Sequence, residues 1–377
     1  MSQTIAKKVP AQRFGEQYKG FRTELLEAVD KVCASGQFIL GEEVRLFEEE
    51  YAKWLGAAYA AGVGNGTDAI VLALLALGIG PGDEVIAPSH TYFATGNAIV
   101  KTGAKLVLAD IDLETYNIDP ARIEKRITKK TKAIVPVHLY GQPCRMDQIV
   151  PLAKKHNLFL VEDCAQAHGT KFEGRSVGTF GEFGCFSFFP TKNLGAYGDA
   201  GIVVTSDEKL LQEVRILRNQ GMTKRYHHDK LGFNSRLDTL QAAILRVKLR
   251  KYMAGALETR RKRALAYTEM IARAGLGQVK VPFEDPRGHH TYHQYVIRVE
   301  KRDELLKHLG DAGVECYIYY PFPLHLTRAL EFSGYRQGDF PNSEKAAAET
   351  FALPIYPELT DADQEYVVEK ISEFYAR

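Results

Sequence analysis

Cysteine is scarce in this chain, with 5 in 377 residues. Cys33, Cys144, Cys164, Cys185 and Cys316 are scattered and odd in number, and no two form a Cys-x-x-Cys pair. That spacing argues against a disulfide framework and against a zinc site, so no metal is expected. Free thiols point instead to a reducing, cytoplasmic compartment. An excess of one charge is also missing. The chain has 49 Lys and Arg against 47 Asp and Glu, a net charge of +2. Nothing therefore suggests a bulk electrostatic grip on nucleic acid. Long apolar runs are absent too. The longest uncharged one, Ala69 to Gly80, is too short to span a bilayer, so no membrane association is expected. No basic segment followed by an apolar stretch opens the chain, and no secretory signal is expected. There is no internal repeat and no low-complexity segment.

What remains is the composition of an ordinary globular protein, 45% hydrophobic and 25% charged, long enough for more than one core. Glu24 to Ser35 and Glu42 to Leu55 space their apolar residues as helices do. Short apolar runs at 84–88, 105–109, 133–137 and 158–161 then alternate with helical stretches such as Asp68 to Leu77 and Asp147 to His156. That alternation predicts an α/β fold, a mainly parallel sheet covered by helices on both faces. Asp238 to about Ala272 reads as one long helical stretch, interrupted only by Gly255. Beyond it the texture changes. Strands are predicted at Tyr295 to Val299 and Glu315 to Tyr320, and helices at Asp303 to Ala312 and Asp361 to Tyr375. The expected division is a large domain over 1–250 and a smaller α+β domain over 251–377.

Ligands of such sheets collect beyond the carboxyl ends of strands. Asp163 stands at one such end, and His90-Thr91-Tyr92 follows another. Lys192 lies between the aromatic run Phe186 to Phe189 and a glycine-rich turn. A lysine in an apolar pocket has a depressed pKa, and its amine is a nucleophile near neutral pH. A carboxylate that protonates a pyridine ring is the usual partner of a lysine–pyridoxal phosphate Schiff base. The pair predicts that cofactor against the alternative of a surface lysine after a turn. Gly62 to Ala69 precedes a helix whose free N–H groups suit a phosphate, although an N-capped helix after a tight turn has the same appearance. The glycine spacing there is not the dinucleotide fingerprint, which argues against a nicotinamide-dependent dehydrogenase. Glu162 beside Asp163 leaves open which of them faces a site. The histidines of 225–229 and 289–293 read as exposed loop residues, with substrate contact second. Asn234 and Ser235 suit a helix cap, and Arg236 suits an anion.

Together these segments resemble the DegT/DnrJ/StrS group of pyridoxal-phosphate-dependent nucleotide-sugar aminotransferases of fold type I. The resemblance runs from about Arg13 to the C-terminus. It rests on Asn65 to Ala69, Pro88 to Tyr92, Val161 to Gly169, Phe186 to Gly201 and Asn234 to Asp238. The resemblance implies that Lys192 holds the cofactor and shuttles a proton, and that Asp163 pairs with the pyridinium nitrogen. Gln166 would bond the phenolic oxygen, and Tyr92 would stack on the ring. Gly66, Thr67 and Ser187 would hold the phosphate, with Asn234 reaching in from the partner of a homodimer. Arg236, Tyr320 and His325 would face the substrate. The implied reaction moves an amino group from L-glutamate, by way of pyridoxamine phosphate, to carbon 3 of a nucleotide-linked keto sugar. Amination at carbon 4 is the alternative, as is a non-catalytic regulatory protein that keeps the fold. Cys164 departs from the alanine common in that group, a change conservative in size.

Overall fold

The computed structural model describes residues 7–376, so residues 1–6 and 377 of the two expected domain ranges lie outside it. Its centre is a seven-stranded sheet. The strands are β1 (Tyr59–Val63), β2 (Glu84–Pro88), β3 (Lys105–Ala109), β4 (Thr131–Ile134), β5 (Phe159–Asp163), β6 (Phe183–Ser187) and β7 (Gly201–Thr205). Their spatial order is β1-β7-β6-β5-β4-β2-β3. β7 runs antiparallel to both of its neighbours, and every other pairing is parallel. The strands are buried on both faces, as a sheet sandwiched by helices requires.

The helices of this part are α1 (Arg22–Ser35), α2 (Glu42–Leu55), α3 (Gly66–Ala76), α4 (Phe93–Lys101), α5 (Met146–Lys155), α6 (Glu208–Leu217) and α7 (Thr239–Lys251). Helices α2 to α7 cover the sheet, and α1 packs on α7 through Leu25 and Ile244. α2 buries Val44, Phe47, Tyr51 and Leu55, one stripe at helical spacing, and stops where Gly56 takes a left-handed φ of 82°. α3 buries Ala69 through Leu74 without a break. A helix that apolar must be covered all round. The sheet covers one side of it, and Leu324, Leu330 and Phe340 from the far end of the chain join the same core.

A second core joins α8 (Met253–Arg273), β8 (Tyr295–Arg298), α9 (Arg302–Asp311), β9 (Thr350–Leu353) and α10 (Asp361–Tyr375). β8 and β9 pair antiparallel. Val9 is buried in this core, bonded to Gly313 and Glu315, so the N-terminal segment packs with the C-terminal elements.

Two elements differ from the sequence expectation. The helical stretch from Asp238 breaks at Tyr252, not at Gly255. The Tyr252 ring packs edge-on against Phe21, with centroids 6.0 Å apart, while a Cβ on Gly255 would meet nothing within 4 Å. The strand expected at Glu315 to Tyr320 reduces to single bridges at Val314 and Tyr317. After Tyr317 the chain leaves β9 and turns towards the main cavity, which Tyr319 and Tyr320 line. Among the described residues no helix is long and apolar enough to cross a membrane.

Candidate active site

The carboxyl ends of β2, β5 and β6 and the N-terminus of α3 open onto one cavity of about 560 Å³. Gly66, Thr67, Tyr92, Asp163, Gln166, Ser187, Lys192 and Tyr320 all line it.

Lys192 follows β6 and closes a tight turn, its N–H bonded to the Phe189 carbonyl at 2.8 Å. Burial lowers its amine to about 8, against the opposing pull of Asp163. Asp163 ends β5 and is 5% exposed. One of its oxygens accepts from the Thr95 hydroxyl at 2.8 Å, and the other from the Ala165 N–H at 3.1 Å. Burial raises its pKa, while these two donors, Lys192 and His138 oppose the rise.

Strand alternation puts the two neighbours on opposite faces of the sheet. Glu162 points away from the cavity and is wholly buried. Its carboxylate accepts from the N–H groups of Gly178 (2.8 Å), Phe180 (2.7 Å) and Gly181 (2.9 Å) and pairs with His138 Nε2 at 3.1 Å. His138, Glu162 and Cys164 are a trio with metal-ligating atoms close together. Glu162 is already bonded by the three backbone N–H groups. His138 Nδ1 accepts from the Cys144 N–H at 3.0 Å, so Glu162 and His138 hold the β5 end in place.

At the opposite wall Asn65 caps α3, its side-chain oxygen accepting from the Asp68 N–H at 2.9 Å. The N–H groups of Gly66 and Thr67 have no intrahelical partner and lie at the cavity, where the helix dipole favours an anion. Gly66 is required there. A Cβ on it would stand 2.7 Å from the Ser187 Cβ and fill the space between helix and strand.

Gln166 has a fixed orientation. Its oxygen accepts from the Tyr140 N–H at 2.7 Å, so its amide nitrogen points the other way and donates to the Tyr320 hydroxyl at 2.8 Å. The Tyr92 ring is 58% exposed and lies 5.3 Å from that of Tyr320. It is available to cover a flat ligand.

Three expected residues do not line this cavity. Asn234 and Arg236 lie on the segment before α7, Asn234 exposed and Arg236 bonded to the Asn219 side chain at 3.1 Å. Neither Asn234 nor Ser235 caps α7, whose N-cap is Asp238. Ser235 instead donates to Asp68 at 2.7 Å and so braces the start of α3. His325 is 2% exposed and held from both sides, by the Ser89 hydroxyl at 2.7 Å and by Glu344 at 2.9 Å. In that position it ties the 323–326 segment to the end of β2 and does not face the cavity.

The cavity also takes residues that sequence patterning missed. Thr95 and Asn97 flank Gly96 on α4, and they reach the site because Tyr92 starts that helix just after the end of β2. Gln294 and Tyr319 join from the C-terminal part of the chain. The histidines of 289–293 are not all exposed. His290 is 2% and His293 3% exposed, and His293 lines the cavity with Nδ1 3.2 Å from the Asn193 side chain. Burial, with Lys192 and Arg260 nearby, lowers its pKa well below the usual value, so it is neutral. Those of 225–229 are on an exposed hairpin, as expected.

Pyridoxal phosphate fits this donor set. It needs an uncharged amine, a carboxylate for its ring nitrogen and an anion cradle for its phosphate. The cavity supplies Lys192, Asp163 and the Gly66–Ser187 cleft in those places.

Comparison with known proteins points the same way. A sequence model of the DegT/DnrJ/EryC1/StrS aminotransferase family matches residues 20–372. A protein of Geobacillus stearothermophilus named as a pleiotropic regulatory protein is 48% identical over 97% of this chain and 98% of its own length. A UDP-N-acetyl-3-dehydro-α-D-glucosamine 3-aminotransferase of Acidithiobacillus ferrooxidans is 44% identical over 96% of each. The crystal structure of S. venezuelae DesV in complex with a ketimine intermediate superposes with a TM-score of 0.95 at 40% identity, covering 98% of this chain and 99% of the other.

Proposed function

The chain belongs to the DegT/DnrJ/EryC1/StrS aminotransferase family, whose cofactor is pyridoxal phosphate, and on that premise we propose that it transfers the amino group of L-glutamate to carbon 3 of a nucleotide-linked keto sugar. The observation that carries the reading is the meeting of Lys192, Asp163 and the α3 N-terminus around one cavity. When bound, the cofactor supplies an electron sink for charge developing on the carbon that loses or gains a proton. Lys192 is the base that takes that proton from the amino donor and the acid that returns it to the sugar. Asp163 keeps the ring nitrogen protonated, held in register by Thr95 and Ala165. Gln166 donates its amide hydrogen to the ring oxygen. Gly66 and Thr67 N–H groups and the Ser187 hydroxyl hold the phosphate, and Tyr92 shields one ring face from water. Tyr320 meets the sugar.

Carbon 3 is supported by the Acidithiobacillus relative, which is named for that position. Five unpaired cysteines support a cytoplasmic setting. A homodimer with shared sites is supported by Asn234, exposed and away from its own cavity. Phe38, Ile39, Leu40 and Leu231 are exposed as well, Leu231 at 97%. The regulatory reading draws on the name of the Geobacillus relative. A lysine lowered to about 8 beside a buried carboxylate favours catalysis over it.

The test charges the protein with pyridoxamine phosphate and offers a panel of 3-keto and 4-keto nucleotide sugars. Return of the visible absorption of the aldehyde form with a 3-keto sugar alone is the expected result. Return with 4-keto sugars alone moves the chemistry to carbon 4, and no return with any sugar leaves the regulatory reading. Mixing Lys192→Ala with Asn234→Ala subunits tests sharing. Recovered activity is expected, and none despite proven subunit exchange rules it out.

A further inference from the structure

Tyr140 does not line the cavity, yet it bonds three residues that do. It is 3% exposed and follows the extension of β4. Its φ of 59° and ψ of 5° put a bulky residue in the left-handed region, a strained conformation that surrounding contacts must hold. That backbone turn splits its bonding groups. The N–H donates to the Gln166 side-chain oxygen at 2.7 Å. The C=O accepts from the Gln294 N–H at 3.3 Å. The hydroxyl donates to the carbonyl of Tyr319. With its own proton given away, that hydroxyl is an acceptor for His90 Nε2, 3.0 Å distant. His90 is buried and lowered to about 4, so it is neutral and carries the needed proton on Nε2. The ring of bonds closes through Gln166, whose amide nitrogen donates to Tyr320.

We propose that Tyr140 is a positioning residue that joins the cofactor side of the site, Gln166, to the substrate side, Tyr319 and Tyr320. Its backbone sets which end of the Gln166 amide faces the cavity. Its hydroxyl anchors the segment that carries Tyr320, which β9 no longer pairs beyond Tyr317. The two arms separate by chemistry. Tyr140→Phe removes the substrate-side arm and keeps the cofactor-side arm. This inference rests on the aminotransferase reading for its substrate.

The experiment uses the holoenzyme and the variants Tyr140→Phe, Tyr320→Phe and the double. Each half-reaction is followed separately by the cofactor spectrum, and amide hydrogen exchange is measured in peptides spanning 315–326. Loss of the hydroxyl bond is expected to raise KM for the keto sugar about tenfold. The glutamate half-reaction and the cofactor spectrum should change less than twofold. Exchange should quicken in 315–326. The double variant should be no worse than the more impaired single one, because both act through one contact chain. Equal losses in both half-reactions, a multiplicative double variant or unchanged exchange overturns the proposal. The exchange readout needs no sugar, so it judges Tyr140 even if the wild type accepts none, a result that would sink the functional reading instead.

Discussion

The amine of Lys192 is lowered to about 8 by burial, and this makes a kinetic prediction for the protein stripped of its cofactor. Only the neutral amine attacks an aldehyde. At pH 7.5 a group with a pKa of 8 is neutral in about a quarter of molecules, and an ordinary lysine near 10.4 in about 0.1%. On that difference in protonation alone, Lys192 should capture pyridoxal phosphate roughly 200 times faster than a surface lysine. The sign follows. Capture rises with pH, reaches half its limit near pH 8 and levels off above pH 9. Asp163 opposes the lowering, since its negative charge stabilises the ammonium form. Asp163→Asn should move the half-point below that of the wild type. The assay is stopped-flow absorbance from pH 6 to 10, followed by borohydride reduction and peptide mapping. A rate still climbing tenfold per pH unit at pH 10, or a label on another lysine, refutes the reasoning. So does an upward shift in Asp163→Asn.

Gly66→Ala places a methyl 2.7 Å from the Ser187 Cβ, an overpacking worth about 1–3 kcal/mol. Cofactor affinity by equilibrium dialysis should fall at least tenfold, and an unchanged Kd would remove the phosphate cradle from this place. Lys248 is 1% exposed, bonds the Gly195 carbonyl and is lowered to about 8 by burial. Its folded pKa lies below its unfolded one, so the unfolded chain binds more protons between them and wild-type stability rises with pH from about 8 to about 10.4. The penalty of the buried charge is fully present below pH 8. Lys248→Met lacks this slope, so the wild-type unfolding free energy should gain on the variant by up to about 3 kcal/mol across that window. A difference that stays flat in urea titrations from pH 7.5 to 10.5 contradicts the assignment. His325→Asn should lower Tm through its lost bonds to Ser89 and Glu344, at about 1–3 kcal/mol for groups left unpaired, and spare both half-reactions. A selective loss of the sugar half-reaction would return His325 to the substrate.

Much of the architecture was legible because its signals are local. Helical spacing marked α1 and α2 because one face of each must be buried. The apolar runs at 84–88, 105–109 and 158–161 marked β2, β3 and β5 because the central strands are covered twice. β1, β6 and β7 went unmarked, since Gly62, Gly184 and Gly201 thin out their apolar pattern. Two of those glycines answer to partners distant in sequence. The Cβ positions of Gly62 and Gly201 fall against Leu237 and the Asn65 backbone.

The candidate site divides along the same line. Asp163 and Gly66 sit where one strand ends or one helix begins, and Lys192 lies in the turn between an aromatic run and glycines. The chain announces such points by its own residues, while Ser187, at the end of the unmarked β6, came from the family resemblance alone. Whether Glu162 or Asp163 faces the cavity depended on the loop 178–181, whose N–H groups take up Glu162. His293 enters the cavity and His325 leaves it because segments from beyond residue 280 fold back over the sheet. Sequence determined the chemistry that is available, since side-chain type and local conformation are written residue by residue. Only tertiary structure decided which of those groups meet, because burial and hydrogen-bond partners are set by contacts between separate segments, from 16 positions apart for Glu162 and Gly178 to 236 for Ser89 and His325.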